Sequence, residues 1–131
     1  MSTTGYRVGM AQILVEGGRP AANLGRAVEA VRVAAAQGCR LVVLPECLDL
    51  GWTDPSARAT AEPIPGPHSD VLARAARDQR VYVAAGLVER AGDRLYNAAV
   101  LIDPTGRILL HHRKLNELDI ALDLYSVGDR L

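Results

Sequence analysis

The chain has 131 residues, 49% of them hydrophobic, and its Lys+Arg 15 balance its Asp+Glu 15. That length and apolar content suit one modest globular domain with a real core and exclude a disordered chain. The balanced charge leaves no electrostatic footprint for nucleic acid or an anionic membrane, and no apolar stretch reaches the ~18 residues of a membrane-spanning helix.

The start, Met1-Ser2-Thr3-Thr4-Gly5, is polar and lacks a secretory signal's apolar core; residues 1–5 are expected to be disordered. Cys39 and Cys47 make no C-x-x-C and no disulfide framework, so a reducing cytoplasm is the default. Tyr6 to Leu14 reads as a first strand, and Glu16-Gly17-Gly18 as a turn. Pro20 suits the first helical position, and Leu24, Ala27, Val28, Val31, Ala34 and Ala35 make one apolar stripe. Gly38 is placed to end this helix in a left-handed cap.

Leu41-Val42-Val43-Leu44 is a continuous apolar run, the pattern of a buried strand in a sheet covered on both faces. Pro45 has no N–H for a ladder, so the strand should stop there and leave Glu46 just past its C-terminal end. Strand, helix, strand with short links predicts a right-handed crossover onto a parallel neighbour. Open α/β sheets place their ligand sites at such strand ends. Two readings of Glu46 stand at this point: a loop carboxylate bonded to backbone amides, or a catalytic group.

From Cys47 to Pro67 the chain loses periodicity and holds four prolines, two glycines and Trp52. This reads as a long loop at the site edge, with Trp52 either walling a pocket or packing beneath the loop. Gly66-Pro67 opens a second helix that ends near Gln79. Val81–Val88 and Leu95–Ile102 form a hairpin through Ala91-Gly92-Asp93. Asp103-Pro104-Thr105-Gly106 fits a type I turn into a third strand, Ile108 to His111. After Lys114 the text turns irregular, and no repeat or linker divides the chain.

Fourteen of the fifteen basic residues are arginine; Lys114 is the one lysine. Either this is chance, or position 114 needs a compact ammonium where a planar guanidinium will not serve. Glu46 and Lys114 stand at the ends of two separate strands. If those strands are neighbours, the carboxylate can accept a proton and the ammonium can hold a developing oxyanion. The structural alternative is a plain ion pair.

Leu44-Pro45-Glu46, Gly86 and Glu89, the run Tyr96-Asn97-Ala98-Ala99-Val100 through Arg107, and Arg113-Lys114 resemble the N-terminal half of the nitrilase superfamily of carbon–nitrogen hydrolases. The likeness runs from about Arg7 to Leu131. It implies an α/β fold, part of an αββα sandwich, with a mixed sheet and two helices on one side. It also implies that residues 1–131 are the N-terminal portion of a single hydrolase domain.

By the same resemblance, Glu46 takes the general-base position and Lys114 the oxyanion-stabilising position of a Glu–Lys–Cys triad. The substrate is a small amide, carbamoyl compound or nitrile, no metal or organic cofactor is expected, and copies of the chain associate into a homo-oligomer. The family's cysteine follows the lysine by a few tens of residues and is expected beyond Leu131. Cys39 precedes a strand, and Cys47 occupies no catalytic position in the family. The family's additional glutamate falls near Ala121, with Glu117 close by as a substitute in substrate binding. His111-His112 does not make a metal site, because strand neighbours point to opposite faces. The competing reading is a non-catalytic remnant that binds a ligand or a partner subunit. A nucleotide-binding domain is disfavoured by the absence of any Gly-rich phosphate loop.

Overall fold

The computed structural model describes residues 5–129. The expected N-terminal disorder falls, but for Gly5, outside these residues. The elements are β1 (Val8–Met10), α1 (Pro20–Ala36), β2 (Leu41–Val43), α2 (Ala57–Thr60), α3 (Pro67–Gln79), β3 (Tyr82–Ala91), β4 (Arg94–Ile102) and β5 (Ile108–Arg113). A 3₁₀ turn over Asp119–Ala121 follows.

The five strands form one sheet in the order β1-β2-β3-β4-β5. β1, β2 and β3 run parallel, and β4 and β5 return antiparallel, so the sheet is mixed as expected. Both main helices begin with proline at the first turn. Beyond α1 the chain turns at Gly38, φ +80, a conformation that costs glycine little. At the start of α3 the Ser69 hydroxyl accepts the Gly66 N–H and donates to its carbonyl, each at 2.9 Å.

Alternation decides what each sheet face meets. Val42, Val83, Ala85, Leu87, Val100 and Ile102 point one way and pack with Leu24, Ala27 and Val31 of α1 and Leu72, Ala75 and Ala76 of α3. Both long helices therefore lie on one side of the sheet. The other face carries Val43, Ala84, Ala99, Leu110 and His112. Among the described residues no helix covers it: Met10 is 86% exposed and Leu110 62%, so the expectation of a sheet covered on both faces is corrected to one apolar, open face.

Two other expectations need correction. The first strand is only Val8–Met10 rather than Tyr6–Leu14. Its partner β2 is itself three residues long, and after the Ala11 N–H to Val43 carbonyl bond the chain leaves the sheet. Ile13 and Val15 then pack against the core instead of continuing a ladder. The long loop also contains the short helix α2, preceded by an Asp54 carboxylate that takes both the Ser56 N–H and its hydroxyl. Among the described residues no helix is long and apolar enough to cross a membrane.

Candidate active site

Glu46 begins a tight turn directly after β2. That turn is stitched to β3, because β3 runs on past the end of β2 and its backbone groups need partners. Leu44 N–H reaches the Ala84 carbonyl; Gly86 then gives its N–H to Pro45 and takes the Leu48 N–H on its carbonyl. A Cβ at Gly86 would stand 2.6 Å from Glu46 Cα and 2.9 Å from the Cys47 nitrogen. Only glycine permits this approach, the usual meaning of a glycine inside a strand.

Lys114 reaches the same place from β5. Its N–H extends the ladder by bonding the Asn97 carbonyl at 2.8 Å, and its own carbonyl accepts the Gly128 N–H at 2.8 Å. Lys114 Nζ lies 3.0 Å from Glu46 Oε1. Asn97 Nδ2 donates to that same oxygen at 2.5 Å. Asn97 is thus bonded to both charged residues, through its side chain to Glu46 and through its backbone to Lys114.

The electrostatics follow. The Asn97 hydrogen bond, reinforced by Lys114, holds the Glu46 carboxyl below the ordinary carboxylate range against a smaller effect of burial. The Glu46 contact raises the Lys114 ammonium. Glu46 is an ionised acceptor and Lys114 a charged donor in a groove of about 350 Å³ on the open sheet face, lined also by Val43, Gly86, Asn97 and His112. A larger groove of about 890 Å³ runs between β1 and α1, but neither Glu46 nor Lys114 lines it.

Glu117 joins the pair: its Oε2 is 3.7 Å from Lys114 Nζ, and its side chain is fully buried. Neither of its carboxyl oxygens has a hydrogen-bond partner. Burial pushes this carboxyl above its ordinary value, the Glu46 charge adds to that, and Lys114 opposes it. Ala121 is wholly buried in the cluster of Cys47, Leu50, Val88 and Tyr125, so position 121 brings no carboxylate to the groove. Trp52 is half-buried on that cluster and lines, with Glu46, an adjoining groove of about 500 Å³. Its indole N–H is buried without a partner.

Cys47 does not have the surroundings of a nucleophile. It is 0% exposed, and the Tyr125 hydroxyl lies 3.7 Å from its sulfur. Burial, with the Glu46, Asp49 and Glu117 charges, pushes its thiol up to about 12. The thiolate that attack requires is scarce at neutral pH under those conditions.

Beneath the groove, on the opposite sheet face, Glu89 is buried and takes a two-pronged bond from Arg113, 2.8 and 2.7 Å. It also lies 2.9 Å from His111 Nε2, while the Arg113 guanidinium sits 4.1 Å from the Tyr96 ring centroid. His111 and His112 do point to opposite faces, His112 toward the groove. Burial alone would raise the Glu89 carboxyl, but the Arg113 and His111 contacts outweigh it and hold it below the ordinary range. Its stabilising contribution is therefore present above the unfolded carboxylate value of about 4.3 and is lost as pH falls through the lowered folded value. Glu89→Gln removes the buried carboxylate that Arg113 grips, leaving it the more distant Asp129 at 3.6 Å, and should cost roughly 3 kcal/mol. Urea unfolding at neutral pH checks the cost, and the gap between variant and parent should narrow in acid.

Asn97, which bonds both charged residues, stood in the run that carries the resemblance but was given no role from sequence. The signal was present: an amide inside the apolar run Tyr96–Ile102 must find a partner if buried.

A mixed α/β sheet that brings a carboxylate, an ammonium and an amide together past the end of an inner strand has the makings of a proton-transfer and anion-holding site. The carbon–nitrogen hydrolase family matches residues 7–127. An omega-amidase, NIT2, of Danio rerio is 39% identical over 99 residues, 75% of this chain and 36% of that protein. A nitrilase of Pyrococcus abyssi is 41% identical over 93 residues, 68% of this chain and 36% of that protein. The crystal structure of an amidase from Nesterenkonia sp. superposes with a TM-score of 0.87 at 19% identity, covering 99% of this chain and 51% of that one. The chain belongs to the carbon–nitrogen hydrolase family, and it spans well under half the length of the curated relatives it matches.

Proposed function

We propose that residues 1–131 are the N-terminal portion of a single carbon–nitrogen hydrolase domain that cleaves a small amide, carbamoyl compound or nitrile. Glu46 is its general base and Lys114 holds the oxyanion. The observation that carries this reading is the shared oxygen: Glu46 Oε1 meets Lys114 Nζ at 3.0 Å and Asn97 Nδ2 at 2.5 Å. Omega-amidase and nitrilase relatives support it.

The nucleophile in this reading is a cysteine supplied by a segment outside residues 1–131. Glu46 takes the thiol proton as sulfur bonds to the substrate carbon, and the electron pair displaced onto oxygen (nitrogen in a nitrile) is held by Lys114. With an amide, the C–N bond then breaks and nitrogen leaves as ammonia, carrying the proton from Glu46. Water adds to the thioester, giving a proton to Glu46, and the thiol regains a proton as the acid departs. Glu117, buried beside Lys114, helps to orient the substrate, and Trp52 walls the pocket. The expected setting is the cytoplasm, with copies associated through their helical layers.

Expression of the full reading frame, with an ammonia-release assay across small amides, carbamoyl compounds and nitriles, tests the assignment. Turnover that is abolished by changing a cysteine beyond position 131 supports it; turnover that depends on Cys47 contradicts it. Residues 1–131 expressed alone should give no turnover and should self-associate through the open sheet face. A few hundred Å² of wet apolar surface forfeits several kcal/mol at about 25 cal/mol per Å², against a net domain stability of about 5–15 kcal/mol. Sedimentation velocity checks this, and a well-behaved monomer would defeat it.

A further inference from the structure

Asp49 lies three residues past Glu46, is wholly buried, and has both carboxyl oxygens engaged. Oδ1 accepts the Val88 N–H at 3.0 Å, and Oδ2 lies 2.9 Å from His68 Nδ1. A carboxylate only accepts, so a His68 tautomer with its hydrogen on Nδ1 is the one that completes this bond. The Asp49 carbonyl accepts Asn23 Nδ2 at 2.9 Å, and Asn23, also buried, exchanges two further bonds with the Glu16 backbone. One turn residue is thereby held from α1, α3 and β3 at once.

The topology explains the demand. Val88 N–H is the next β3 amide after Gly86 on the edge that β2 has left uncovered, and no strand among the described residues reaches it. The Asp49 side chain takes the place of that strand. The turn it fixes is under strain, because Cys47, directly after Glu46, sits at φ +47. A non-glycine residue stays in that left-handed region only where its surroundings determine it. Neither Asp49 nor His68 lines the groove that holds Glu46 and Lys114.

We infer that Asp49 and His68 are a positioning pair, which fixes the turn after β2 so that Glu46 presents one oxygen to both Asn97 and Lys114. The inference deepens the proposed function and rests on it for its kinetic consequences. Losing the His68 donor strands a buried carboxylate oxygen, which must find another partner or take a proton, and either response moves the turn. Displacements near 1 Å at a reacting group cost on the order of 10²-fold in rate.

The test uses the polypeptide from the full reading frame. His68→Leu should lower kcat per titrated active site by about tenfold or more while KM stays within about threefold. His68→Asn, whose amide nitrogen stands where Nδ1 stands, should restore most of the turnover. His68→Gln, which places its amide where Nε2 stands, should not. Combined with Glu46→Gln, His68→Leu should add nothing, since its effect runs through Glu46.

A readout independent of catalysis is the ¹³C titration of the Glu46 carboxyl. It should move toward the ordinary carboxylate range in the Leu and Gln variants and return in the Asn variant. Unchanged kcat per site with an unchanged Glu46 titration overturns the inference, as does a Gln variant equal to the Asn variant; the polar pair keeps the test decisive if the Leu variant does not fold. Full turnover in Glu46→Gln would instead defeat the proposed function, and the carboxyl titration would still judge the pair.

Discussion

Glu46→Gln is expected to lower turnover by about 10²–10⁴-fold or more, the loss that follows removal of a general base, with the fold intact. Glutamine keeps the shape and an oxygen that accepts from Asn97 and Lys114, but it cannot take a proton. The Glu46 side chain is 51% exposed and that of Lys114 35%, so solvent screens the unpaired ammonium and little stability is at stake. Steady-state kinetics with a thermal melt separate the two effects. The pH profile adds a second check. Because Asn97 and Lys114 hold the Glu46 carboxyl low, it stays ionised down through the ordinary carboxylate range. The acid limb that Glu46 contributes to kcat/KM lies below a pH of about 4.3 and is absent from the Gln variant. Near-normal turnover in Glu46→Gln would remove this residue from the mechanism.

Lys114→Arg should be nearly as inactive as Lys114→Ala, each losing on the order of 3 kcal/mol or more of transition-state stabilisation. Arginine preserves the charge, so a purely coulombic role predicts partial activity. The geometry argues otherwise. Nζ meets Glu46 Oε1 at 3.0 Å and Glu117 Oε2 at 3.7 Å, and the Glu117 side chain has no exposed surface. A guanidinium spreads its donors over a plane and needs more room than this enclosed side allows. kcat/KM of both variants decides the matter. The side-chain amine at position 114 is the only one in the sequence, so amine-selective labelling of residues 1–131 reports on it and the N-terminus alone. Retention of most activity by Lys114→Arg would end the argument from the lone lysine.

Much of the frame was legible in the residues. Pro45 stops β2 and leaves Glu46 beyond it; Pro20, Gly38 and Pro67 bound the helices close to where they occur. The hairpin and its type I turn also fall where their turn residues placed them, with Gly106 N–H bonded to the Asp103 carbonyl at 2.9 Å. These are local effects of φ restriction, missing donors and side-chain alternation, which a few neighbouring residues suffice to determine. The first strand was overread because apolar residues there pack on the core without pairing, and apolar content alone does not distinguish the two.

The sequence by itself determined that a carboxylate and a single lysine stand at two strand ends, while the mixed sheet with helices on one side came from the family resemblance. Only the tertiary structure decided what each charge touches. Asn97 meets Glu46 across 51 positions of chain, Asp49 takes the place of a strand for Val88, and Glu117 is buried against Lys114 while Ala121 turns into the core. These contacts depend on strand register and on the path of the turn after β2. A one-residue slip in register would send each side chain to the other face, and nothing local to Glu46, Asn97 or Lys114 encodes that choice.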